Sequence, residues 1–361
     1  MATRRRKLNK RYLWPAIIAA LALLFILSLI LFRPKQEEDA AESAPYALDS
    51  SASQRFGVMN DGLLAVASGG GLQIFDDQGS LIARQAVTLL QPALDTAGAW
   101  AAAYDIGGTT LVTMNREGES SVRDETGAII AVSVTTDGWV AVAGEAQGYR
   151  GMVTVYDKKG GTIYEWYSGE DYVVNAALSE NHTLAVLCAG SQGSKIHVFA
   201  MNSEEELGVF PADELLLDFF WTGSGRLAAL SDTRAVFLND HAEQTAEYVF
   251  SGLHLFDYAS GGDGLLTLAL SSYRTGGTCT LVTLNSAGKV IAERTVDAVT
   301  GIHARGKQVL VRSDNVLTLY NQQLEDMRAL EFDPLGVRQA MLLQSGRALL
   351  IYDYSCTELE I

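Results

Sequence analysis

The stretch Val173-Val-Asn-Ala-Ala-Leu-Ser-Glu-Asn-His-Thr-Leu-Ala-Val-Leu-Cys188 places two apolar runs on either side of a four-residue polar turn. Two further apolar runs follow, Lys195–Phe199 and Leu207–Phe210, with a second polar turn at Asn202 between them. Short apolar runs bounded by turn residues are typical of β-strands. The stretch therefore predicts four consecutive antiparallel strands, of which the first two are buried on both faces.

The same unit recurs along the chain at steps of 36 to 44 residues. Its first turn falls near Gly62, Gly98, Gly138, Asn181, Gly225, Gly264, Gly306 and Gly346. A second turn opens with Asp or Asn, at Asp76, Asn115, Asp157, Asn202, Asn239, Asn285 and Asn321. Repeats of about 40 to 45 residues are typical of four-stranded propeller blades. The sequence thus predicts an all-β chain folded as an eight-bladed β-propeller, with seven blades as the alternative.

The last unit holds only three apolar runs, Val337–Leu343, Ala348–Tyr352 and Cys356–Ile361. The segment Pro45–Ser50 lies just before the first inner strand and is placed to supply the missing fourth strand. Such pairing would close the ring and remove two exposed sheet edges. We therefore predict one propeller domain over residues 45–361.

The amino-terminal region predicts a membrane anchor. Residues 14–32 carry no charge, and 19 helical residues span about 28 Å, close to the thickness of a bilayer core. Six basic residues precede this run, which predicts a cytoplasmic tail over residues 1–13 and a propeller on the outside of the cytoplasmic membrane. Residues 33–44 then form a linker. A cleaved signal peptide is the alternative, but Leu31-Phe-Arg-Pro34 is a poor cleavage site.

Composition and charge narrow the class of partner. The chain is 48% hydrophobic and 19% charged, enough for a large packed core. Residues 36–361 hold 19 bases against 43 acids, a net charge of −24. Affinity for nucleic acid comes mostly from cations, so the sequence predicts no DNA or RNA binding.

No motif points to catalysis. The five histidines are spread one or fewer per unit, without metal-ligand spacing, and no Gly-x-Ser-x-Gly or Cys-x-x-Cys is present. Cys188, Cys279 and Cys356 stand far apart in apolar runs and are predicted to be small buried hydrophobes. We therefore predict no catalytic residue, no metal and no cofactor.

Loops between the second and third predicted strands differ in length, and the longest cover residues 145–151, 189–194 and 271–277. Two of them carry a Tyr-Arg pair, and a crossover on the same face adds two more aromatic residues. The candidate partner-binding residues are Tyr149, Arg150, Trp166, Tyr172, Tyr273 and Arg274. Tyr, Trp and Arg are enriched in binding hot spots. The alternative is that each pair only covers its own hairpin.

The run Val155-Tyr-Asp-Lys-Lys-Gly-Gly-Thr-Ile-Tyr-Glu-Trp166 resembles the repeats of quinoprotein-like and WD-type propellers. Together with the amino-terminal apolar run, the chain resembles single-pass membrane-anchored β-propeller proteins of Gram-positive bacteria. Quinone-dependent enzymes of this fold use a vicinal disulfide, and no two cysteines are adjacent here. The resemblance implies a fold and does not by itself imply an activity.

Three functions are compatible with this interpretation of the sequence. The favoured one is a non-catalytic scaffold that binds a protein or cell-envelope polymer on its loop face. The second is an extracellular glycan hydrolase or lyase, which would need acids on the inner strands; Ile129–Val134 and Val173–Leu178 carry none. The third is a ligand sensor.

Overall fold

The computed structural model describes Tyr46, Leu48 and residues 53–223, 225–344, 346–353 and 355–361. The predicted tail, membrane anchor and linker, residues 1–13, 14–32 and 33–44, lie outside the described residues. Within the described residues, no helix is both long enough and apolar enough to cross a bilayer.

The described chain forms thirty β-strands and one short 3-10 turn at Asn60–Gly62. Five sheets contain four antiparallel strands each, paired in chain order. The first sheet is β1 Arg55–Val58, β2 Leu64–Ser68, β3 Gly71–Phe75 and β4 Leu81–Ala86. The second is β5 Pro92–Ala97, β6 Trp100–Asp105, β7 Thr110–Asn115 and β8 Ser120–Asp124. The third is β9 Ile129–Val134, β10 Val140–Gly144, β11 Gly151–Tyr156 and β12 Thr162–Ser168.

The fourth sheet is β13 Tyr172–Leu178, β14 Thr183–Gly190, β15 Gly193–Ala200 and β16 Glu206–Ala212. The fifth is β17 Leu216–Gly223, β18 Arg226–Ser231, β19 Arg234–Asn239 and β20 Gln244–Val249. These four-stranded antiparallel sheets confirm the all-β prediction. In the fourth sheet, each of the four predicted apolar runs lies within an observed strand.

The remaining strands form a seven-stranded sheet and a three-stranded sheet. The larger contains β21 His254–Ser260, β22 Leu266–Ser271, β23 Gly277–Leu284, β24 Val290–Arg305, β25 Gln308–Ser313, β26 Val316–Asn321 and β27 Asp326–Glu331. The smaller contains β28 Gln339–Gln344, β29 Arg347–Ile351 and β30 Cys356–Glu360. In the larger sheet, β24 pairs with β23 up to Val299 and with β25 from Val299 onward. Ala298, just before that switch, has a positive φ of 54°.

Small side chains let successive sheets pack face to face. Ala65 and Ala67 of the first sheet are fully buried against Ala101 and Ala103 of the second. Because alanine adds little side-chain volume, these residues fill the space between the two sheets without forcing them apart. The first strand of each sheet lies innermost, and these inner strands contact one another in chain order.

A repeated turn connects the third and fourth strands. In the second sheet, the Asn115 Oδ1 accepts hydrogen bonds from the backbone N–H groups of Glu117 (3.1 Å) and Glu119 (2.8 Å). The same pair of bonds forms at Asp76, Asp157, Asn239, Asn285 and Asn321. A side-chain oxygen that accepts such bonds stabilises the turn, which explains the regular Asp or Asn.

Two details of the fourth sheet differ from the sequence-based prediction. The turn near Asn202 is organised by Ser203, whose hydroxyl accepts the N–H of Glu205 at 3.0 Å. The predicted long loop over residues 189–194 is mostly strand, because β14 and β15 continue pairing to Gly190 and Gly193. The small polar residues in this stretch predicted a loop, but backbone hydrogen bonds between β14 and β15 extend the hairpin through most of it.

The last sheet packs against the first. Tyr46 is buried between them, with its ring 5.6 Å from that of Phe75 and in the same apolar cluster as Cys356. Arg347 of the last sheet binds Asp77 of the first at 3.0 Å and Glu358 at 2.7 Å. Most of Pro45–Ser50, the segment that is predicted to pair with the last sheet, lies outside the described residues. Its two described residues, Tyr46 and Leu48, pack in the cluster that joins the two sheets.

Candidate functional site

The two ends of the sheets differ in chemistry. We call the upper face the end that carries the loops between second and third strands and the connections from each sheet to the next; the lower face is the opposite end. Large exposed apolar side chains in the loops and inner-strand starts of the upper face are Leu90, Ile106, Tyr149, Tyr172, Leu215, Leu217, Tyr273 and Leu335. Leu90 and Leu335 are more than 80% exposed. The described lower-face loops contain no such residue.

The loops of the lower face are polar because of the repeated turn. Their exposed residues include Gln78, Arg116, Glu117 and Gln323. The other exposed apolar side chains of the described chain lie on outer strands, such as Val122 and Met327, and two of them, Leu81 and Val290, begin such strands at the lower end. The upper face is therefore the more apolar end.

Tyr149 and Arg150 lie in the loop after β10 on the upper face. The ring of Tyr149 contacts that of Tyr167, with centroids 4.9 Å apart. The Arg150 Nη1 donates a hydrogen bond to the Tyr172 hydroxyl at 2.6 Å, and its guanidinium lies 5.0 Å from that ring. The structure thus brings Tyr149, Arg150 and Tyr172 into one exposed aromatic cluster that spans the third and fourth sheets.

Trp166 is placed differently from these three. It lies on β12, half-buried, with its ring 5.2 Å from His197 and 5.3 Å from Phe199. Those contacts belong to the apolar cluster between the third and fourth sheets. Its observed contacts are therefore those of a packing residue.

Tyr273 and Arg274 lie in the loop after β22, in a different sheet from Tyr149. Tyr273 is 73% exposed. The Arg274 Nη2 binds the Asp232 carboxylate of the preceding sheet at 2.5 Å. Among the described residues, no hydrogen bond, ion pair or ring contact joins this loop to the Tyr149 cluster, so the two Tyr-Arg pairs are separate parts of the upper face.

The inner strands surround two adjoining polar cavities. One has a volume of about 460 Å³ and is bounded by β21, β24, β25 and β28. The other, about 390 Å³, is bounded by β1, β5, β21, β24 and β28. Both are lined by Ser260, His303 and Ala304. We refer to the two cavities together as the channel.

Acidic residues do lie on the inner strands, which corrects the sequence-based expectation drawn from Ile129–Val134 and Val173–Leu178. The Asp95 carboxylate accepts the N–H of Val134 at 2.8 Å, and the Asp257 carboxylate accepts the N–H of Ile302 at 2.9 Å. Burial raises the pKa of both carboxyl groups. Asp95 therefore joins β5 to β9 of the next sheet, and Asp257 joins β21 to β24 within the seven-stranded sheet.

Asp218 and His303 make equivalent links. The Tyr258 hydroxyl donates to the Asp218 carboxylate at 2.5 Å, and the Asn175 amide donates to it at 3.1 Å. The His303 Nδ1 accepts the N–H of Leu342 at 3.1 Å. Burial, with the nearby Arg305 charge, lowers the pKa of His303 to about 4. His303 is thus neutral at pH 7, with its proton on Nε2.

The remaining reactive groups have structural surroundings. Within the described residues, no group of three or more His, Cys, Asp or Glu side chains is arranged to hold a metal ion. The three cysteines are free and buried, as predicted. Burial raises the pKa of Cys188 and Cys356 to about 12, so these thiols stay protonated and unreactive at neutral pH.

Known structures with the same architecture are β-propellers. The C-terminal WD40 domain of Sif2 matches with a TM-score of 0.64 and 12% identity, covering 89% of this chain and 97% of that one. Dihydro-heme d1 dehydrogenase NirN, in complex with DHE, matches with a TM-score of 0.59 and 17% identity, covering 94% and 84%. The Pan2 WD40 domain of Neurospora crassa matches at 0.51 and 10%, covering 91% of each chain. Identities this low show the fold alone.

Comparison with known sequences gives a family for this chain. No curated protein sequence matches it. One family profile covers residues 36–357, nearly all of the described sheets. On that match, this β-propeller chain belongs to the family of unknown function DUF5711.

Proposed function

We propose that this protein is a non-catalytic scaffold that binds a protein partner on the upper face of its propeller. The observation that carries the proposal is the confinement of exposed apolar loop residues to that face. These residues belong to the connections of several different sheets, so one partner that lies across the face would contact several of them together, as a protein interface of standard size does. The repeated polar turn leaves the lower face without such a surface.

The side-chain types favour a protein over an envelope polymer. Leu90, Leu215, Leu217 and Leu335 are aliphatic, and they bury well against other apolar side chains. A polysaccharide offers few such groups and would be held mainly by aromatic rings and hydrogen bonds. The cluster of Tyr149, Arg150 and Tyr172 adds the residue types that dominate protein interfaces.

The charge of the domain favours a basic rim on the partner. Glu170 and Asp213 lie at the upper ends of sheets three and four, with side chains 89% and 94% exposed. Residues 36–361 carry a net charge of −24, which steers cationic surfaces toward the domain. We therefore expect an apolar patch bordered by Lys and Arg on the partner.

The membrane anchor and the blade count belong to the same proposal. The uncharged run over residues 14–32, preceded by six basic residues, supports an anchor with the propeller outside the cytoplasmic membrane. Eight blades are supported by the long strand β24. Its first part completes a four-stranded group with β21, β22 and β23, and its second part begins another with β25, β26 and β27.

A catalytic role for the channel is the less favoured alternative. A glycan hydrolase needs two carboxyl groups free to reach the scissile bond. Asp95, Asp218 and Asp257 each accept hydrogen bonds that join neighbouring inner strands. Their contacts are those of structural links, which supports the non-catalytic assignment.

The test is site-specific photo-crosslinking in cells that carry the full-length protein. A photoreactive residue is placed at Leu90, Leu215 or Leu335 on the upper face, and at Gln78, Glu117 or Gln323 on the lower face. We expect the three upper positions to share one discrete protein adduct and the lower positions to lack it. Adducts of equal yield from both faces would contradict the proposal.

Matched substitutions then test the surface itself. Ser at Leu90, Leu215 and Leu335 together should reduce the adduct formed from Tyr273 at least tenfold, with an unchanged melting temperature. Ser at Gln78, Glu117 and Gln323 is the control and should leave the yield unchanged. An adduct that is degraded by glycan-cleaving enzymes, or one with twice the mass of this chain, would replace the proposed partner with a polymer or a second copy.

Ala at Tyr149, Arg150, Tyr172, Tyr273 and Arg274 tests the aromatic part of the face separately. These side chains are exposed, and their contacts are with one another, with the partly exposed Tyr167 ring or with Asp232, so folding should be retained. We expect a loss of partner adduct comparable to that of the leucine variant. Full retention of the adduct would restrict the site to the leucines.

A further inference from the structure

Only two asparagines of the chain, Asn202 and Asn285, are followed by serine, and none is followed by glycine. Asparagine is a chemically labile residue, because the backbone nitrogen of the next residue can attack its side-chain amide. A small next residue such as serine obstructs this attack very little. The two pairs lie in turns on the lower face, between β15 and β16 and between β23 and β24. What differs is how each turn holds its asparagine.

Asn285 is held firmly by its turn. Its Oδ1 accepts the N–H groups of Ala287 and Lys289, both at 3.0 Å. Its own N–H donates to the Lys289 carbonyl at 3.0 Å, and its carbonyl accepts the Gly288 N–H at 2.9 Å. Gly288 in turn lies so close to Phe237 that a Cβ would be 2.5 Å from that ring. The Asn285 side chain therefore cannot turn toward the next backbone nitrogen unless several bonds break together.

Asn202 lacks this restraint. Its side chain is exposed and forms no hydrogen bond with any described residue. The turn is organised by Ser203, whose hydroxyl accepts the Glu205 N–H at 3.0 Å. One bond holds the nitrogen that would attack, because the Ser203 N–H donates to the Ala200 carbonyl at 3.1 Å. A single bond in an exposed turn opens frequently by local fluctuation, so the reactive geometry is accessible in the folded protein.

We propose that Asn202 is a site of spontaneous deamidation in the folded protein, whereas Asn285 is protected. The Ser203 backbone nitrogen loses its proton to water and forms a bond to the Asn202 Cγ, and the side-chain nitrogen leaves as ammonia. Water then opens the cyclic imide. Cleavage at one carbonyl gives aspartate, and cleavage at the other gives an isoaspartyl linkage. The overall reaction consumes one water, releases one ammonia and needs no oxidant or reductant.

Both products change the turn between β15 and β16. A carboxylate replaces a neutral amide directly before Glu204, Glu205 and Glu206, so this part of the lower face becomes more acidic. The aspartate form keeps the main chain as it is, and the Asn202 side chain has no bond to lose. The isoaspartyl form adds a methylene to the main chain and should displace the bond between Ser203 and Ala200. This site is separate from the upper face and does not depend on the proposed partner.

Neighbouring charges act in the opposite direction and must be separated from the effect of structure. Glu204 and Glu205 follow Asn202, whereas Lys289 lies in the turn of Asn285. A nearby cation favours loss of a proton from the attacking nitrogen, and nearby anions oppose it. Charge alone would therefore make Asn285 the more reactive of the two. Each site must be compared with its own rate in the unfolded chain.

Peptide mapping by mass spectrometry tests the proposal on the full-length protein in detergent, incubated at pH 8 in its native state and in urea. We expect the native rate at Asn202 to lie within about threefold of its unfolded rate, and the native rate at Asn285 to fall at least roughly tenfold below its own. Labelling by an isoaspartyl methyltransferase should mark the peptide that contains Asn202. Equal protection of the two sites, or no conversion of Asn202 in the native protein, would overturn the proposal.

Matched variants assign the reaction to one residue. Asn202→Gln keeps an amide, but its longer side chain forms the cyclic imide much more slowly, so the acidic form seen by isoelectric focusing should accumulate far less. Asn285→Gln is the control and should leave that accumulation unchanged. If the Asn202→Gln protein acidifies at the original rate, or if the two variants slow it equally, the modification is not confined to Asn202 and the proposal fails.

Discussion

A single amide or carboxylate side chain organises each repeated turn. At Asn321, the Oδ1 accepts two backbone N–H groups, from Gln323 at 2.9 Å and from Glu325 at 3.0 Å, while the Nδ2 donates to the Glu325 carboxylate. Asn202 occupies the corresponding sequence position in the fourth sheet, is exposed, and makes no such bonds. The same residue type therefore has two different energetic roles in one chain.

Asn321→Ala should lower the free energy of unfolding by about 1 kcal/mol, because two turn N–H groups lose their internal acceptor. Asn202→Ala is the matched control and should change it by less than about 0.5 kcal/mol. Urea denaturation at pH 7 measures both. Equal losses in the two variants would mean that the side-chain bonds do not stabilise the turn.

His303 gives the fold a pH dependence of definite sign. Its pKa falls from 6.5 in the unfolded chain to about 4 in the folded one, so between these values the unfolded state holds the extra proton. Stability is therefore complete above pH 6.5 and decreases on acidification, by about 3 kcal/mol at pH 4 from this group. His303→Asn keeps an acceptor for Leu342 and cannot titrate. The difference between the two unfolding curves should shrink as the pH falls; a constant difference would contradict the buried neutral histidine.

At the scale of the elements, the fourth residue of each repeated turn packs against a neighbouring strand. Gly118, Gly160 and Gly288 have positive φ at this position, and so do Ala242 and Leu324, at 59° and 56°. The Leu324 side chain is buried in one apolar cluster with Ala292 of β24, in the same seven-stranded sheet. L-residues avoid this backbone region, so Leu324 shows that the packing outweighs the strain.

An arginine on β24 completes this contact. Arg294 lies 4.9 Å from the centre of the Tyr320 ring and donates to the Leu324 carbonyl at 2.8 Å. Arg123 makes the equivalent contacts with Tyr156, at 4.0 Å, and with the Gly160 carbonyl. The same contact thus occurs twice, once between the second and third sheets and once within the seven-stranded sheet, and each time it joins a turn to a neighbouring strand.

Gly288→Ala tests the close approach of two sheets. A Cβ at this position would lie 2.5 Å from the Phe237 Cδ2, in addition to the strain of φ +75°. We expect a loss of about 2 to 4 kcal/mol, from strain and overpacking together. Gly107, at φ +77° with open space around it, is the control, and Gly107→Ala should cost only about 1 kcal/mol. Thermal unfolding that shows equal losses would rule out the clash.

The sequence predicts these elements well because strands and turns are local. The apolar runs of residues 173–210 and the Asx turns at Asn115 and Asn285 depend on neighbours a few positions away, so the sequence alone is enough to predict them. The roles of polar residues on the inner strands cannot be predicted in this way. Asp95, Asp257 and His303 look like isolated polar residues in the sequence, and only the packing of neighbouring inner strands shows that each accepts a backbone N–H some 39 to 45 positions away.

For the same reason, only part of the candidate surface could be predicted from the sequence. Tyr149, Arg150 and Tyr273 stand in loops of unusual length, which is a sequence signal. Leu90, Leu215 and Leu335 carry none, because single leucines in connections between strands are ordinary. Their significance comes from their shared position on one face of the ring.

At the scale of the whole molecule, the closure between first and last sheets depends on Tyr46. Tyr46→Ala should lower the free energy of unfolding by about 3 to 5 kcal/mol, since a large buried ring is removed from the joint. The Tyr46 hydroxyl has no hydrogen-bond partner among the described residues, so Tyr46→Phe should be neutral or stabilising. Chemical denaturation of both variants decides the point, and a strongly destabilised Tyr46→Phe would show that the hydroxyl is satisfied.

The upper face and the channel both exist only if the chain closes into one ring. The most direct test joins Asp77→Cys to Arg347→Cys with a short bismaleimide, since these side chains meet although they are 270 positions apart. We predict efficient intramolecular crosslinking in the native protein and none for the control pair Asp77→Cys with Glu180→Cys, in the first and fourth sheets. Crosslinking only between molecules, or equal yields for both pairs, would contradict the closed ring.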